Sequence, residues 1–366
     1  MTTFDTGVGR PVAVSTPLDI ASGLERVDGR LASFFAERTS ASAGLGDDYQ
    51  RLWSSARAAA DGGKRMRPRL VLATLTALGR PVDETAIDTA VAFELLHTAF
   101  LLHDDVIDGD TVRRGRPNLS GEFAAQAAAN GVDRPRSALW GEAASILAGD
   151  LLLHAATALV GRVDVPMEAR HRLLDVLDHS VVVTAAGELT DVSLAVGLTS
   201  PTLPAVLGMT ERKTAAYSVA GPTMAGAILA GEDDRLLAAL AEYGRLVGVA
   251  FQLGDDLLGV YGDQERTGKS VLSDLREGKK TTLIAFARST ESWPTIEARL
   301  GRGDLTLADA AELAAVLEDC GARRFVERLL IDQVDRAIAV LDAPAVPPPL
   351  AEELAGIARG CVGRIA

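Results

Sequence analysis

The chain has 366 residues, of which 48% are hydrophobic and 24% charged, and 37 Lys and Arg against 50 Asp and Glu give it a net charge of −13. This composition can bury a large core and excludes intrinsic disorder for most of the chain. The negative charge argues against a nucleic-acid-binding protein, because phosphate backbones are bound by basic surfaces. A site for phosphate groups would therefore have to be built from local clusters of basic residues.

The N-terminal segment and the cysteines indicate a reduced, cytoplasmic protein. Residues 1–16 mix Thr, Gly, Pro and Val without a period, so we predict a flexible tail followed by one domain at residues 17–366. The tail lacks a basic segment followed by an apolar one, and no run of ~18 uninterrupted apolar residues occurs, so neither export nor a membrane span is expected. Cys320 and Cys361 lie far apart without a CxxC pattern, which favours neither a zinc site nor a disulfide.

From residue 18 onward the chain shows the pattern of α-helices, with long Ala-, Leu- and Val-rich segments separated by Gly, Pro, Asp or Ser. Residues 121–140 are predicted to form a long loop. We therefore predict an all-α fold, a large bundle of long helices. The predicted helices span residues 18–38, 47–60, 67–79, 84–108, 138–161, 165–195, 207–230, 233–262, 280–288, 307–341 and 348–363.

The predicted helix 84–108 is apolar on every side, as in a buried helix, yet it ends in the acidic sequence HDDVID. Asp104 and Asp108 are four residues apart, so they project from one face about 5.4 Å apart. Such like charges repel, and a divalent cation such as Mg²⁺, bound by carboxylates, water and substrate phosphate, would remove the conflict. A solvated acidic helix end is the alternative. An EF-hand is excluded, because with Asp104 at loop position 1 the ligands at loop positions 3 and 12 would be Val106 and Gly115.

A second buried helix, predicted at 233–262, carries the acidic sequence FQLGDDLLG. Gln252, Asp255 and Gly259 share one face of this helix. Buried carboxylates are costly unless they are paired or bound to metal, so both clusters are candidates for function. The TGKS sequence that follows is not a P-loop, because its first glycine would have to be residue 263, which is Asp, and no strand precedes it.

Basic residues accompany both acidic clusters. In the sequence GGKRMRP, Pro68 suits the first turn of a helix whose free backbone amides can face an anion. Each basic residue alone could be an ordinary surface charge, but together with two aspartate pairs they favour a site for phosphorylated substrates and magnesium. These residues are Lys64, Arg67, Arg113, Arg114, Lys213, Lys269 and Lys279.

The ordered motifs GGKRMRP, HTAFLLHDDVID with RRG, KTA, and FQLGDDLLG with TGKS and DLREGKKT resemble those of the trans-type isoprenyl diphosphate synthases. The resemblance implies the isoprenoid synthase fold, in which α-helices surround a deep central cavity and the two aspartate motifs face each other across its mouth. It also implies a homodimer. The implied reaction is head-to-tail condensation of isopentenyl diphosphate with an allylic diphosphate (dimethylallyl, geranyl or farnesyl), releasing diphosphate.

The resemblance also implies roles for single residues. The residues implied to surround isopentenyl diphosphate are Lys64, Arg67, His97 and Arg114. Three magnesium ions on Asp104, Asp108 and Asp255 would hold the allylic diphosphate, and Asp105 and Lys213 complete the implied catalytic set. The residues implied to contact the allylic diphosphate directly are Arg113, Lys213, Thr214, Gln252, Lys269 and Lys279.

The implied chemistry is electrostatic. Metals and cations stabilise the departing diphosphate, so the allylic C–O bond ionises to a carbocation that the isopentenyl double bond attacks. The departed diphosphate is the nearest base, so no protein base is named. His97 is either a hydrogen-bonded core residue or a substrate contact, and its position two turns before Asp104 on the same stripe favours contact.

Two positions depart from the family pattern. Gly259 stands where many members have Asp, which leaves only Asp255 and Asp256 to serve a metal there. Residues 187–191 read GELTD where many members have GQxxD, so Glu188 and Asp191 are left out of the predicted site.

Two residues of the predicted helix 84–108 are predicted to set the product length. Phe100 lies four residues before Asp104, about 6 Å deeper along the tunnel that the growing tail must enter, and Ala99 lies one residue further. In the family, an aromatic residue at the fifth position before the motif favours a C15 product, whereas a small one lets the tail pass. Ala99 and Phe100 therefore predict geranylgeranyl diphosphate, C20. Farnesyl diphosphate or a longer product is the alternative, and Phe100 could also be an ordinary core residue.

Two other classes of protein remain open. A terpene cyclase shares the all-α fold and one DDxxD, but it lacks GGKRxRP. A non-catalytic subunit of a heteromeric synthase is the other alternative. Such subunits often have degraded aspartate motifs, and the first motif is intact here.

Overall fold

The computed structural model describes residues 17–262 and 273–363, and it confirms the predicted all-α fold. The predicted tail at residues 1–16 lies outside the described residues. A short antiparallel hairpin joins β1 (Val112–Arg113) to β2 (Arg116–Pro117). The helices are α1 (Pro17–Ala41), α2 (Asp47–Ala60), α3 (Met66–Ala77), α4 (Glu84–Ile107), α5 (Leu119–Ala129), α6 (Arg134–Val160), α7 (Met167–Ala195), α8 (Leu203–Thr210), α9 (Gly221–Ala230), α10 (Asp234–Tyr261), α11 (Ser273–Glu277), α12 (Thr282–Ala287), α13 (Trp293–Glu297), α14 (Leu307–Asp319), α15 (Ala322–Val340) and α16 (Pro348–Gly363).

Polar side chains fix the start of several of these helices. Asp83 accepts a hydrogen bond from the backbone N–H of Ala86 at the start of α4, and Asp233 accepts from Leu236 at the start of α10. Such caps satisfy backbone donors that have no partner within the helix, and each contributes about 1 kcal/mol. Both helices that carry the acidic clusters therefore begin where the sequence provides an N-cap.

The prediction of a long loop at 121–140 is wrong. The segment contains most of α5 and the first turns of α6, which are joined by a short turn at Gly131 with a φ of 82°. The Ala-rich sequence of α5 has high helix propensity, and Asn118 and Asp133 cap the two helices. The predicted single helix 307–341 is also divided, because Gly321 adopts a φ of 84° between α14 and α15.

The helix α4 lies in the centre of the bundle, as its uniform hydrophobicity predicts. Its Phe93, Leu95 and Leu96 are each at most 1% exposed and pack in one continuous core with residues of α3, α6 and α10. Burial of each such side chain contributes about 1.5–3 kcal/mol relative to exposure. The acidic end of α4 is therefore held by a rigid, buried stem.

A π-helical segment, Glu211–Ala220, connects α8 to α9. We call it the π segment; it contains Lys213 and Thr214, where the sequence predicted an ordinary helix. Three glycines let α7 and α10 approach it closely. An added Cβ at Gly187 would lie 2.6 Å from the Cα of Lys213, and one at Gly248 would lie 2.5 Å from the Cβ of Ala215. Gly244 meets Ala220 in the same way. Long π-helical stretches are rare and often occur at functional sites.

Three helices, α4, α6 and α10, are long and apolar enough to cross a membrane by length and composition alone. In the most hydrophobic windows of these helices, 72%, 44% and 61% of the residues are buried inside the protein. Packing between helices thus accounts for much of the hydropathy of α4 and α10, and the absence of a membrane span stays a prediction.

Candidate active site

The two adjacent aspartates at the end of α4 point to different surroundings. Asp105 is 2% exposed, and the Nε and Nη2 atoms of Arg113 donate to its Oδ1 at 2.8 and 2.6 Å. Burial raises the pKa of Asp105, and the Arg113 guanidinium opposes that rise. Asp105 thus anchors Arg113, and Arg113 Nη2 lies 3.7 Å from Asp104 Oδ2.

Lys213, from the π segment, lies among three carboxylates. Its Nζ is 3.1 Å from Asp104 Oδ1, 2.9 Å from Glu188 Oε2 and 2.8 Å from Asp191 Oδ2. Burial lowers the pKa of Lys213, but the three carboxylates together raise it above its ordinary value, so the ammonium stays charged. Glu188 and Asp191 were missing from the predicted site, although their spacing of three residues on α7 places them on one helix face.

Lys279 links the second motif region to the first cluster. Its Nζ lies 3.3 Å from Asp108 Oδ2 and 3.2 Å from Glu277 Oε2. Burial, and then the charge of Asp104, raises the pKa of Asp108, while Lys279 lowers it. The structure therefore brings together the first aspartate motif and the lysine that the sequence places 171 residues later.

A hydrogen-bond chain connects the π segment to α10 and α12. Thr214 Oγ1 donates to Gln252 Oε1 at 3.1 Å, and Gln252 Nε2 donates to Asp256 Oδ1 at 3.0 Å. The backbone N–H of Thr282 donates to the other oxygen of Asp256 at 3.3 Å. Burial raises the pKa of Asp256 to about 7. Asp256 therefore holds helices together, whereas Asp255 lines a cavity; Lys269 lies outside the described residues.

A cavity of about 890 Å³ opens beside the acidic end of α4. It is lined by Asp255 and by the four residues that the sequence placed around isopentenyl diphosphate, namely Lys64, Arg67, His97 and Arg114. From α4 its wall also takes Thr98 and Leu101. Ala99 is fully buried and Phe100 packs edge-on against Tyr217, and neither is among the residues that line this cavity, so their chain-length role stays a prediction.

The glycine loop at the cavity mouth is held by two arginines. Gly62 and Gly63 have φ values of 78° and 88°, a conformation that favours glycine, and the Arg114 guanidinium lies over both. Arg65 donates to Asp28 at 2.7 Å and to Glu94 at 2.8 Å, which ties the loop to α1 and α4. Arg65 is thus a structural residue within GGKRMRP.

Tyr217 of the π segment joins three predicted site residues, although the sequence did not single it out. Arg67 lies over its ring at 4.7 Å, His97 stacks on it at 6.0 Å, and Phe100 meets it edge-on at 4.9 Å. Arg67 Nη2 also donates to Ser218 Oγ at 2.7 Å. Tyr217 follows Lys213 by four residues in the KTA motif region, which is the one signal that could have found it.

Burial, and then the charges of Arg67 and other nearby arginines, lowers the pKa of His97 well below its ordinary value of 6.5. Its Nδ1 is buried and has no hydrogen-bond partner among residues 17–262 and 273–363. His97 is therefore uncharged at neutral pH, although Lys64, Arg67 and Arg114 line the same cavity.

Because of this shift, acid is expected to destabilise the fold through His97. The folded state binds this proton less readily than the unfolded chain, so stability is fully present above about pH 6.5 and is lost as the pH falls below that value. In urea unfolding at about pH 7.5 and about pH 5.5, the wild-type chain should lose more stability than His97→Gln. The exposed His154 provides the control, since His154→Gln should keep the wild-type loss. Equal losses in wild type and His97→Gln would contradict this expectation.

Asp104, Asp108, Glu188 and Asp191, with Lys213 and Lys279 between them, form what we call the acidic centre. It suits a cation that is also bound by water and by substrate. Within the described part of the chain, no three His, Cys, Asp or Glu side chains are placed to hold one metal ion. Mg²⁺ needs only one or two carboxylates besides water and substrate phosphate, so such a cage is not required. In the same part of the chain, Asp104 Oδ1 is buried and accepts no hydrogen bond, with Lys213 Nζ beside it as an ion-pair partner. The carboxylates of Asp104 and Asp108 at this end of α4 therefore fit magnesium, and the part of Asp255 as a further ligand stays a prediction.

The chain is similar in sequence to known prenyl diphosphate synthases. The polyprenyl synthetase family model matches residues 50–317. A short chain isoprenyl diphosphate synthase of Methanothermobacter thermautotrophicus is 36% identical over 279 residues, covering 75% of this chain and 79% of that protein. A (2E,6E)-farnesyl diphosphate synthase of Mycobacterium bovis is 35% identical over 314 residues, covering 82% of this chain and 80% of that protein.

The fold is also similar to that of a solved synthase. A geranylgeranyl pyrophosphate synthase from Corynebacterium glutamicum, complexed with isoprenyl diphosphate and magnesium, matches with a TM-score of 0.86 and 31% identity, covering 94% of this chain and 99% of that chain. The predicted isoprenoid synthase fold is thus confirmed. The chain belongs to the polyprenyl synthetase family of prenyltransferases.

Proposed function

We propose that this chain condenses isopentenyl diphosphate with allylic diphosphates and makes mainly geranylgeranyl diphosphate. The observation that carries the proposal is the pairing of two sites. The acidic centre with Lys213 and Lys279 lies at the end of α4, and the cavity with Arg67 and His97 lies beside the same helix. Two diphosphate-binding regions on one buried helix suit a reaction that joins two diphosphate substrates.

In this proposal the cationic residues hold the allylic diphosphate. Magnesium on Asp104, Asp108 and Asp255, three ions in the family pattern, would supply the positive charge that stabilises a departing diphosphate. Lys213 and Arg113 would add fixed positive charge at the same place, because both already lie within 4 Å of Asp104. The raised pKa of Lys213 keeps that charge through the neutral range.

The cavity residues hold the second substrate. Lys64, Arg67 and Arg114 would bind the diphosphate of isopentenyl diphosphate at the mouth. Uncharged His97 and the Tyr217 ring beneath Arg67 would face its apolar part. No side chain is assigned as the base, because the departed diphosphate is the nearest acceptor for the proton.

A product assay tests this function. With magnesium, labelled isopentenyl diphosphate and each allylic primer in turn, the wild-type chain should extend dimethylallyl, geranyl and farnesyl diphosphates mainly to C20. Phe100→Ala should shift the products to longer chains, because it removes a ring from the proposed tunnel floor. Phe325→Ala is the matched control: Phe325 also packs on one other ring, that of Phe286, at 4.5 Å, but outside the site.

Other products would separate the alternatives. Unchanged products in Phe100→Ala would contradict the assigned tunnel floor, and a main C15 product would contradict the C20 proposal. A cyclic hydrocarbon made from a single prenyl diphosphate would identify a terpene cyclase. Inactivity that a partner chain rescues would identify a non-catalytic subunit.

We also propose that the chain acts as a cytoplasmic homodimer. Exposed apolar residues recur every seven positions along α7 and its C-cap residue, at Val182, Leu189 and Val196, which are 59%, 73% and 65% exposed. On α6, Leu139 and Leu147 are likewise exposed. Apolar stripes of this length on two long helices suit a helix-to-helix interface between copies of the chain.

A further inference from the structure

The two acidic clusters differ in their number of carboxylates along the helix. On α4, Asp104 and Asp108 form a pair spaced by one helical turn. On α10, the corresponding partner of Asp255 would be residue 259, which is Gly259. On the helix face that carries Asp104 and Asp255, α10 therefore provides one carboxylate where α4 provides two.

The structure places another carboxylate at the position that Gly259 leaves open. A Cβ added to Gly259 would lie 3.2 Å from Asp274 Cγ and closer still to its Oδ2. Residues four apart on a helix have Cβ atoms about 5–6 Å apart, so the Asp274 carboxylate lies about one turn from Asp255. The Asp274 carboxylate, from α11, therefore lies where an aspartate at position 259 of α10 would begin its side chain.

The charge of Asp274 acts on the same ionic centre. It contributes, with Asp255, to the raised pKa of Asp256, and it contributes to the raised pKa of Lys279. The backbone N–H of Lys279 donates to the carbonyl oxygen of Asp274 at 3.0 Å, which fixes the two residues relative to each other. Through Lys279 Nζ, this turn also reaches Asp108.

We propose that Asp274 supplies the carboxylate that α10 lacks at Gly259, so that Asp255 and Asp274 together face the divalent cation across from Asp104 and Asp108. Glycine at 259 is then required, because a side chain there would displace the Asp274 carboxylate. The proposal rests on the proposed function, which provides the cation and the diphosphate. A different role for Asp274, stabilising the first turn of α11 by its charge, would leave cation binding unchanged.

The test measures Mg²⁺ binding by isothermal titration calorimetry in the presence of inorganic diphosphate, so it does not depend on turnover. Asp274→Asn keeps the shape of the side chain but removes its charge, and it should weaken Mg²⁺ binding about tenfold or more. The double variant Gly259→Asp with Asp274→Ala moves the carboxylate to α10 and opens the space for it. It should bind Mg²⁺ within about threefold of wild type. Asp335→Asn, on the exposed face of α15, is the control and should bind as wild type does.

Each outcome supports or overturns either the inference about Asp274 or the proposed function. Wild-type affinity in Asp274→Asn overturns the inference while leaving the proposed function intact, and so does a folded double variant that recovers no affinity. If the double variant is unfolded by circular dichroism, the Asp274→Asn result alone decides. A wild-type chain that binds neither Mg²⁺ nor diphosphate overturns the proposed function, and the inference with it.

Discussion

Replacing Asp104 by Asn should lower kcat of the proposed condensation by about 10²–10³-fold, because one preorganised charge at the reacting diphosphate is worth that much in comparable sites. Asp104 lies between two cationic residues of the site. Lys213 Nζ lies 3.1 Å from its Oδ1, and Arg113 Nη2 lies 3.7 Å from its Oδ2. Stability should change little, since Glu188 and Asp191 still pair with Lys213. Steady-state kinetics and urea unfolding of the same preparation measure both quantities.

The adjacent Asp105 provides the comparison. Asp105→Asn keeps an oxygen acceptor but removes the charge that pairs with the Arg113 guanidinium, so this buried ion pair is lost and the variant should cost about 2 kcal/mol of unfolding free energy. Its effect on kcat should be smaller than that of Asp104→Asn, because Asp105 acts only through the position of Arg113. The assignment of Asp104 to catalysis and of Asp105 to holding Arg113 is wrong if Asp104→Asn retains kcat within about threefold of wild type. It is also wrong if Asp104→Asn loses mainly stability and Asp105→Asn loses mainly kcat.

The acidic centre has more carboxylates than ammonium groups. Asp104, Asp108, Glu188 and Asp191 surround two lysines, Lys213 and Lys279. Carboxylates thus exceed ammonium groups in this set, and the excess negative charge attracts divalent cations. The sequence-level expectation that an acidic chain must build its phosphate site locally agrees with this arrangement.

The sequence predicted the helices that have a clear hydrophobic pattern and the site residues that lie within recognisable motifs. One example is the helix predicted at 84–108, which the structure has at Glu84–Ile107. Another is the grouping of Lys64, Arg67, His97 and Arg114, which the family resemblance implied and which line one cavity. Sequence patterns did not predict the site residues that join the site only because two helices approach each other closely. Glu188 joins the site because Gly187 lets α7 approach Lys213, and a periodicity of helical hydrophobicity carries no information on that approach.

The π segment is a second case. Apolar spacing could not distinguish it from an α-helix, because a change of a fraction of a residue per turn over ten residues lies within the tolerance of the pattern. Likewise, the contact between Gly259 and Asp274 joins residues of two helices, and only the three-dimensional structure shows it. Sequence motifs therefore predicted where the candidate site lies, and the packing of helices determined which additional side chains lie in it.

The close contact at Gly187 leads to the second large expected effect. Gly187→Ala would place a methyl group 2.6 Å from the Cα of Lys213, so the π segment must move away from α7. Overpacking of this kind costs about 1–3 kcal/mol, more than the roughly 1 kcal/mol that alanine gains over glycine inside a helix. Because Lys213 moves with its backbone, kcat should fall on the order of tenfold or more. Urea unfolding and steady-state kinetics are the measurements.

Gly356→Ala is the matched control, since it makes the same change inside helix α16 with no atom within 4 Å of the added Cβ. It should raise the unfolding free energy by roughly 0.5–1 kcal/mol, because alanine has less backbone entropy to lose. The opposite signs of the two variants separate helix propensity from packing. Stabilisation in Gly187→Ala with unchanged kcat would mean that α7 does not position the π segment, and Lys213 would then need another explanation for its place among the carboxylates.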